Sequence, residues 1–170
     1  FSDSNPSHVK QAIDTHRNAG TTSQVASLVT ADISTLKKQI ASLIPFVDSG
    51  ALAGIHLEGP YLSSAKCGAH NPDLLRYPAL DEVKSLIEAG QGSIRMVTIA
   101  PELEGAIESI GWLSSQGIVA AIGHSDADAA TTKRAITAGA QVVTHFTNAM
   151  SKNLTDESMA THVLNDSMIA

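Results

Sequence analysis

Cysteine is almost absent from this sequence, which contains one, Cys67, among 170 residues. A single cysteine cannot form an intramolecular disulfide, so we expect a protein of the reducing cytoplasm. Aromatic residues make up 4% of the chain and charged residues 16%, whereas 43% of the residues are hydrophobic. This composition excludes disorder and coiled coil, and it predicts a chain that buries a substantial core.

Long hydrophobic runs and basic clusters are also missing. The longest apolar stretches have about seven residues, whereas a membrane helix needs roughly 20, and no basic leader followed by an apolar run opens the chain. We therefore expect a soluble protein without a membrane partner. Acidic residues (17) outnumber basic ones (11), for a formal net charge of −6. A nucleic-acid partner needs a basic surface, so we expect none.

Two common catalytic signatures are absent as well. The chain contains neither a glycine-rich nucleotide-binding loop of the Gly-x-Gly-x-x-Gly or Walker type nor a Gly-x-Ser-x-Gly nucleophile motif. Nucleotide chemistry and serine hydrolysis therefore have no support in the sequence.

Strand-like apolar runs alternate with segments of helical periodicity. Five such runs occupy residues 24–29, 54–58, 94–100, 118–124 and 142–145, and another starts near Met168. Between the first two, Ile33, Leu36 and Ile40 share one face of a helix. Strands separated by helical crossovers pair in parallel. The pattern therefore predicts a parallel α/β sheet.

The helix boundaries follow from capping residues and prolines. Asp32 is the predicted cap of the first crossover helix, and Pro101 is the predicted start of a later one. Ser125 or Asp126 is expected to cap the helix that ends at Gly139.

Periodicity leaves two architectures open, a doubly wound open sheet and a (β/α)₈ barrel. We favour the barrel, incomplete here with about five to six βα units, because polar residues close several strands at their carboxyl ends.

The chain begins at Phe1 without a methionine and ends inside an apolar run, so we expect it to be part of a longer polypeptide. Residues 59–79 form the longest irregular stretch and are a candidate active-site loop.

Three residues at predicted strand ends are candidate metal ligands: Glu58, His124 and His145. Because parallel strands direct their carboxyl ends to one rim, these residues can converge there. One carboxylate and two imidazoles form a zinc-type catalytic set with an open coordination position. The alternative is that each is a hydrogen-bonded polar residue at a strand end. His56 lies on the same side of its strand as Glu58. It either lines the barrel near the site or is a hydrogen-bonded core histidine, and we favour the second interpretation.

Four motifs together resemble one known family. They are His-Leu-Glu-Gly-Pro-Tyr-Leu at residues 56–62, Lys-Cys-Gly-Ala-His-Asn-Pro at 66–72, Gly-His-Ser at 123–125 and Thr-His-Phe-Thr-Asn-Ala-Met at 144–150. In this order they resemble the N-acetylglucosamine-6-phosphate deacetylase family of the amidohydrolase superfamily. The resemblance extends over essentially all 170 residues, as the middle of a longer protein.

The resemblance implies a metal-dependent (β/α)₈ barrel with a small β-domain built from both chain ends. Residues 1–170 would be the central part of the barrel domain, with the flanking strands and the small domain outside this chain. It further implies hydrolysis of the acetamide of N-acetylglucosamine 6-phosphate to glucosamine 6-phosphate and acetate. The implied cofactor is a divalent metal, zinc in the first instance, as one or two ions, and the implied assembly is a homodimer or larger homo-oligomer.

Site roles carry over by matching position. The family's metal ligands correspond to Glu58, His124 and His145, and its substrate contacts correspond to Ala69, His70, Asn148 and Ala149. We expect His70 to donate to a phosphate or sugar oxygen and the backbone N–H groups of Asn148 and Ala149 to meet an anion.

Some family elements lie outside this chain or are altered. The His-x-His pair would precede Phe1, and the general-base Asp would follow Ala170, so we expect these 170 residues alone to be inactive. The arginine that the family uses for phosphate is absent from residues 151–157, where Lys152 offers a point charge without a bidentate fork. A different or unphosphorylated N-acyl sugar as substrate, or a catalytically incomplete metal-binding fragment, are therefore the alternatives.

Overall fold

The computed structural model describes residues 1–150 together with Met159 and Val163. In these residues five strands alternate with five α-helices. The helices are α1 (Pro6–Asn18), α2 (Ile33–Asp48), α3 (Leu80–Ala89), α4 (Ala106–Ser115) and α5 (Ala129–Ala138). The strands are β1 (Val25–Val29), β2 (Gly54–Glu58), β3 (Ile94–Ile99), β4 (Val119–Ile122) and β5 (Ala140–Val143). Within the described part of the chain, no helix has both the length and the apolar character needed to cross a bilayer.

The five strands form one parallel sheet in the consecutive order β1-β2-β3-β4-β5. The prediction of a parallel α/β sheet is therefore confirmed. A doubly wound sheet reverses its strand order at a switch point, whereas a barrel adds each strand beside the previous one. The observed order is that of a barrel. The strand predicted near Met168 lies outside the described residues.

The sheet core lies between its outer face and the helices. Side chains that alternate along the strands point outward and are fully or almost fully buried, as are the residues that face them from the helices. Examples on the strands are Leu28, Ile55, Leu57, Val97 and Ile122, and examples on the helices are Leu36, Ile40, Leu86, Ile110 and Leu113. Burying a leucine or isoleucine side chain contributes about 1.5–3 kcal/mol, so this interface supplies most of the driving force for the sheet.

The last two strands end earlier than the sequence predicts. Strand β4 stops at Ile122 and β5 at Val143, so His124 and His145 each lie two residues beyond a strand. Strand β5 also starts at Ala140, two residues before the predicted start. Gly139, with φ 114°, turns the chain directly from α5 into the strand, which the apolar run alone did not indicate.

The helix caps were predicted in one case and missed in two. Asp32 caps α2 as expected, and its side chain accepts the Thr35 N–H at 3.0 Å. The predicted start at Pro101 is wrong, because residues 101–105 form turns and α4 begins at Ala106. Ala106 follows Gly105, which adopts φ 82°.

The predicted cap at Ser125 or Asp126 is also wrong. Asp128 caps α5 and accepts the Thr131 N–H at 2.8 Å. Ser125 and Asp126 instead donate hydrogen bonds to a distant carboxylate, that of Glu102, at 2.6 and 2.7 Å. A tertiary contact has replaced the local one.

The inner face of the sheet carries a layer of polar side chains. His56 is 7% exposed and is hydrogen-bonded to Ser27 Oγ at 2.9 Å and to Thr98 Oγ1 at 2.7 Å. Thr98 Oγ1 lies 2.7 Å from Thr144 Oγ1. Burial lowers the pKa of His56, so the ring is neutral at pH 7. The interpretation of His56 as a hydrogen-bonded core histidine is confirmed.

Gly123 makes the contact between Thr98 and Thr144 possible. Thr98 on β3 and Thr144 after β5 meet across the intervening chain that follows β4. A methyl group on Gly123 would lie 2.7 Å from Thr98 Cγ2 and 2.9 Å from Thr144 Cβ. The two threonines therefore approach each other over a position that has no side chain.

This packing predicts opposite effects of two Gly→Ala substitutions on the free energy of unfolding. Gly123→Ala should destabilise the intact protein by about 1–3 kcal/mol, because the methyl group overpacks the threonine pair. Gly111→Ala, in the middle of α4 with its nearest neighbour, Ala138 O, 3.7 Å away, should stabilise by about 0.5–1 kcal/mol. Urea titration measures both. Equal effects of the two substitutions would contradict close packing of the threonine pair over Gly123.

Candidate metal centre

Three side chains converge at the carboxyl edge of the sheet. Glu58 is the last residue of β2, and His124 and His145 follow β4 and β5. Both histidines have left-handed backbones, with φ 49° and 33°. Non-glycine residues adopt this region at a cost of about 1–3 kcal/mol, and such strain concentrates at functional sites. The sequence gives no local signal for it.

The donor atoms form a nearly regular triangle. Glu58 Oε1 lies 2.9 Å from Nε2 of His124 and 2.9 Å from Nε2 of His145, and the two nitrogens are 3.0 Å apart. His124 is almost fully buried, whereas the side chain of His145 is 34% exposed. The triangle therefore opens toward solvent on the His145 side.

Hydrogen bonding fixes the orientation of the His124 ring at this triangle, and the imidazoles keep Glu58 ionised. Nδ1 of His124 lies 2.9 Å from the carbonyl oxygen of Lys66, which can act only as an acceptor, so Nδ1 carries a proton and the ring presents Nε2 to the triangle. The imidazole of His70, together with those of His145 and His124, lowers the pKa of Glu58 well below its ordinary value despite partial burial. Glu58 is therefore ionised at neutral pH. A positive charge between this carboxylate oxygen and the two imidazole nitrogens stabilises the close approach, and either a proton or a metal ion can supply it.

The spacing fits a small divalent ion. A tetrahedral site with bonds of about 2.1 Å separates its ligand atoms by roughly 3.4 Å. The observed separations of 2.9–3.0 Å require each side chain to move by only a few tenths of an ångström. One carboxylate and two neutral imidazoles are a donor set that zinc accepts, and they leave a fourth position free.

A third histidine lies beside the triangle. His70 Nε2 is 3.8 Å from Glu58 Oε1, and its ring meets that of His124 edge to face at 4.6 Å between centroids. Its Nδ1 is 2.8 Å from Thr30 Oγ1. Sequence reasoning missed Thr30, although its position directly after β1 is the same strand-end signal that indicated Glu58.

The predicted substrate contacts and predicted ligands line the same cavity, of about 420 Å³. Its walls include Glu58, His124, His145, Ala69, His70, Asn148 and Ala149. The structure thus brings all seven residues together, and the role of each stays a prediction. The backbone N–H of Asn148 donates to the carbonyl oxygen of His145 at 2.9 Å, and its expected contact with an anion stays a prediction. Lys152 lies outside the described residues.

The long loop after β2 forms one wall of this cavity. The Ser63 N–H donates to the His124 carbonyl at 3.0 Å, and the Lys66 carbonyl accepts from the His124 ring. Gly68 (φ 59°) passes so close that a methyl group there would lie 3.2 Å from His124 Cε1. Of the predicted loop 59–79, residues 63–70 therefore reach the site.

Fold and site together define a class: an α/β protein of the barrel type with a candidate divalent-metal centre at the carboxyl edge of its strands. No protein-family model matches the chain. The N-acetylglucosamine-6-phosphate deacetylase of Vibrio furnissii is 35% identical over 135 residues, which are 77% of this chain and 34% of that protein. An N-acetylgalactosamine-6-phosphate deacetylase of Shewanella sp. (strain ANA-3) is 37% identical over 139 residues, 80% of this chain and 34% of that protein.

Solved structures agree with these relatives. The crystal structure of N-acetyl-D-glucosamine-6-phosphate deacetylase from Mycobacterium smegmatis matches with a TM-score of 0.96 at 43% identity, over 100% of this chain and 45% of that chain. A variant of that enzyme has been solved in complex with N-acetyl-D-glucosamine-6-phosphate. The chain is a homologue of the N-acetylglucosamine-6-phosphate deacetylases, and its sheet matches part of their barrel. It spans about a third of the length of the curated relatives it matches.

The triangle predicts which substitutions remove metal from the intact protein. Glu58→Gln and His145→Ala should each lower the zinc content per chain after dialysis, because each removes one of three converging donors. His8→Ala, an exposed histidine in α1, is the control and should leave the metal content unchanged. Plasma mass spectrometry measures the zinc content per chain of the variants and the control. Full zinc content in the Glu58 and His145 variants would contradict the assignment.

Proposed function

We propose that the intact protein hydrolyses the acetamide of N-acetylglucosamine 6-phosphate, giving glucosamine 6-phosphate and acetate. The observation that carries this proposal is the triangle of Glu58, His124 and His145 opening into the cavity lined by Ala69 and His70. The homologous deacetylases, one of them solved with this substrate bound, support the reaction class.

The three donors hold a divalent ion in this proposal, zinc in the first instance. Such an ion lowers the pKa of bound water toward about 7 and polarises the carbonyl of an acetamide. Lys66 keeps the His124 ring in the tautomer that presents Nε2 to the site. Glu58 stays ionised beside the imidazoles and supplies the negative charge of the donor set.

The remaining cavity residues orient the sugar. His70 is held through Nδ1 by Thr30 and lines the cavity with its Nε2 3.8 Å from Glu58 Oε1, where a sugar or phosphate oxygen can meet it. The side-chain amide of Asn148 offers donors in place of its backbone N–H, which is already used. With Ala149 it forms the opposite wall.

The general base belongs to another part of the protein in this proposal. The resemblance assigns it to an Asp beyond Ala170 and assigns a His-x-His pair to sequence before Phe1. Residues 1–170 then form the central part of the barrel domain, and flanking strands together with a small β-domain complete the subunit. The intact protein is a cytoplasmic homo-oligomer in this proposal. A catalytically incomplete metal-binding protein is the alternative if no such Asp is supplied.

A related substrate is the second candidate. Residues 151–157 lack an arginine, and one relative of similar identity acts, by its name, on N-acetylgalactosamine 6-phosphate. The missing arginine favours an unphosphorylated N-acyl sugar, since a phosphate contact without it is weaker than a bidentate one. The name of that relative favours the other epimer.

A substrate panel separates these candidates. The zinc-loaded intact protein should release acetate from N-acetylglucosamine 6-phosphate with a higher kcat/KM than from N-acetylglucosamine or N-acetylgalactosamine 6-phosphate. Preference for either of the other two sugars would select the second candidate. Full zinc content with no acetate release from any of them would select the incomplete metal-binding protein.

Substitutions at His70 and Thr30 test the sugar-binding wall. His70→Ala should raise KM for the phosphorylated sugar and leave the zinc content intact. Thr30→Val, which removes the hydroxyl at constant shape, should raise KM by roughly 5–10-fold, as expected for one net hydrogen bond of about 1–1.5 kcal/mol. Thr30→Ser retains the hydroxyl and is the matched control. If His70→Ala strips the zinc or leaves the kinetics unchanged, the division between binding wall and metal site is wrong.

A further inference from the structure

The backbone at His124 needs support from outside its own segment. Its φ of 49° is unfavourable for a non-glycine residue, and the ring must nevertheless point at Glu58 and His145. On its N-terminal side Gly123 is fixed beneath the Thr98–Thr144 pair. On its C-terminal side two residues donate to one carboxylate.

That carboxylate belongs to Glu102, in the turns between β3 and α4. Its Oε2 accepts the hydroxyl of Ser125 at 2.6 Å and its Oε1 accepts the N–H of Asp126 at 2.7 Å. Ser125 is fully buried, and its Oγ also accepts the Ala127 N–H at 3.0 Å. With one Oγ lone pair occupied in this way, the hydroxyl hydrogen is directed to Glu102.

The same segment reaches the other wall of the cavity. The Ser125 N–H donates to the carbonyl oxygen of Ala149 at 3.2 Å, and Ser125 forms a parallel bridge with Met150. Glu102 thus fixes a segment that touches both the predicted ligand His124 and the turn of predicted substrate contacts. Among the described residues Glu102 does not line the cavity, and its side-chain hydrogen bonds go to Ser125 and Asp126 rather than to the donor triangle.

We infer that Glu102 is a positioning residue that holds His124 in its ligand geometry. This inference rests on the proposed function, since it concerns the same metal site. Both carboxylate oxygens are required because both face donors, and hydrogen bonds to a charged acceptor are shorter and stronger than neutral ones. Without them the 124–126 segment can relax from its left-handed backbone and carry the imidazole away from Glu58.

Two substitutions test the role of Glu102: Glu102→Ala removes both acceptor oxygens, and the isosteric Glu102→Gln removes one of them. In glutamine the oxygen can accept the Asp126 N–H, but the amide then faces Ser125 Oγ as a donor, and the buried hydroxyl loses its acceptor. Glu102→Ala in the intact protein should raise the zinc dissociation constant by about 10–100-fold, the range for residues that orient metal ligands. Glu102→Gln should raise it by a smaller factor. Glu104→Gln, exposed on the same turn, is the control and should leave the constant unchanged.

Cobalt substitution separates positioning from general destabilisation. A shifted ligand alters the visible absorption of bound Co²⁺, whereas a merely structural role lowers the unfolding temperature and leaves that spectrum unchanged. Altered spectra in the Glu102 variants and a wild-type spectrum in Glu104→Gln are the expected result. If Glu102→Ala does not fold, Glu102→Gln decides. Wild-type zinc affinity and cobalt spectrum in the variants would overturn this inference alone, whereas absence of zinc binding by the wild-type protein would overturn the proposed function as well.

Discussion

The structure depends on a close approach that is unfavourable by itself: a carboxylate oxygen and two imidazole nitrogens within 3.0 Å of one another. The ionised Glu58 carboxylate is stabilised at this distance only by a positive charge, and the convergence of three ligand atoms on one point is the strongest physical argument that a metal ion can supply it. The three residues come from the ends of β2, β4 and β5, so the site exists only when the sheet is formed.

The layer below the site keeps these strand ends in register. Hydrogen bonds run from Ser27 through His56 and Thr98 to Thr144, the residue that precedes His145. This chain crosses β4 over Gly123, next to His124, where a side chain would separate the threonines. The inner face is therefore polar and specific, while the outer face against the helices supplies hydrophobic stabilisation. Because of this division, we expect the hydrophobic core to tolerate substitutions more readily than the hydrogen-bonded polar layer does.

Sequence reasoning predicted the features that repeat along the chain and missed those that depend on contacts across it. The alternation of apolar runs predicted the parallel sheet, and the strand-end rule indicated Glu58, His124 and His145, which the structure brings together. Cap preferences failed at Ser125 because its hydroxyl binds Glu102, which lies 23 residues earlier in the chain. The left-handed backbones at the two histidines could not be predicted from the sequence either, because neither position is a glycine.

Positive backbone angles at both histidines connect these observations. Each imidazole follows its strand by one intervening residue, and a left-handed turn is what directs it back over the sheet toward Glu58. The strain can be maintained because hydrogen bonds from Ser63 and to Glu102 fix the His124 segment on both sides. A bound ion would add to this restraint in proportion to RT ln(1 + [L]/Kd), about 2.7 kcal/mol at a hundred times Kd. Metal affinity and backbone strain at the strand ends are therefore one coupled quantity, so a residue such as Glu102 influences the metal without touching it.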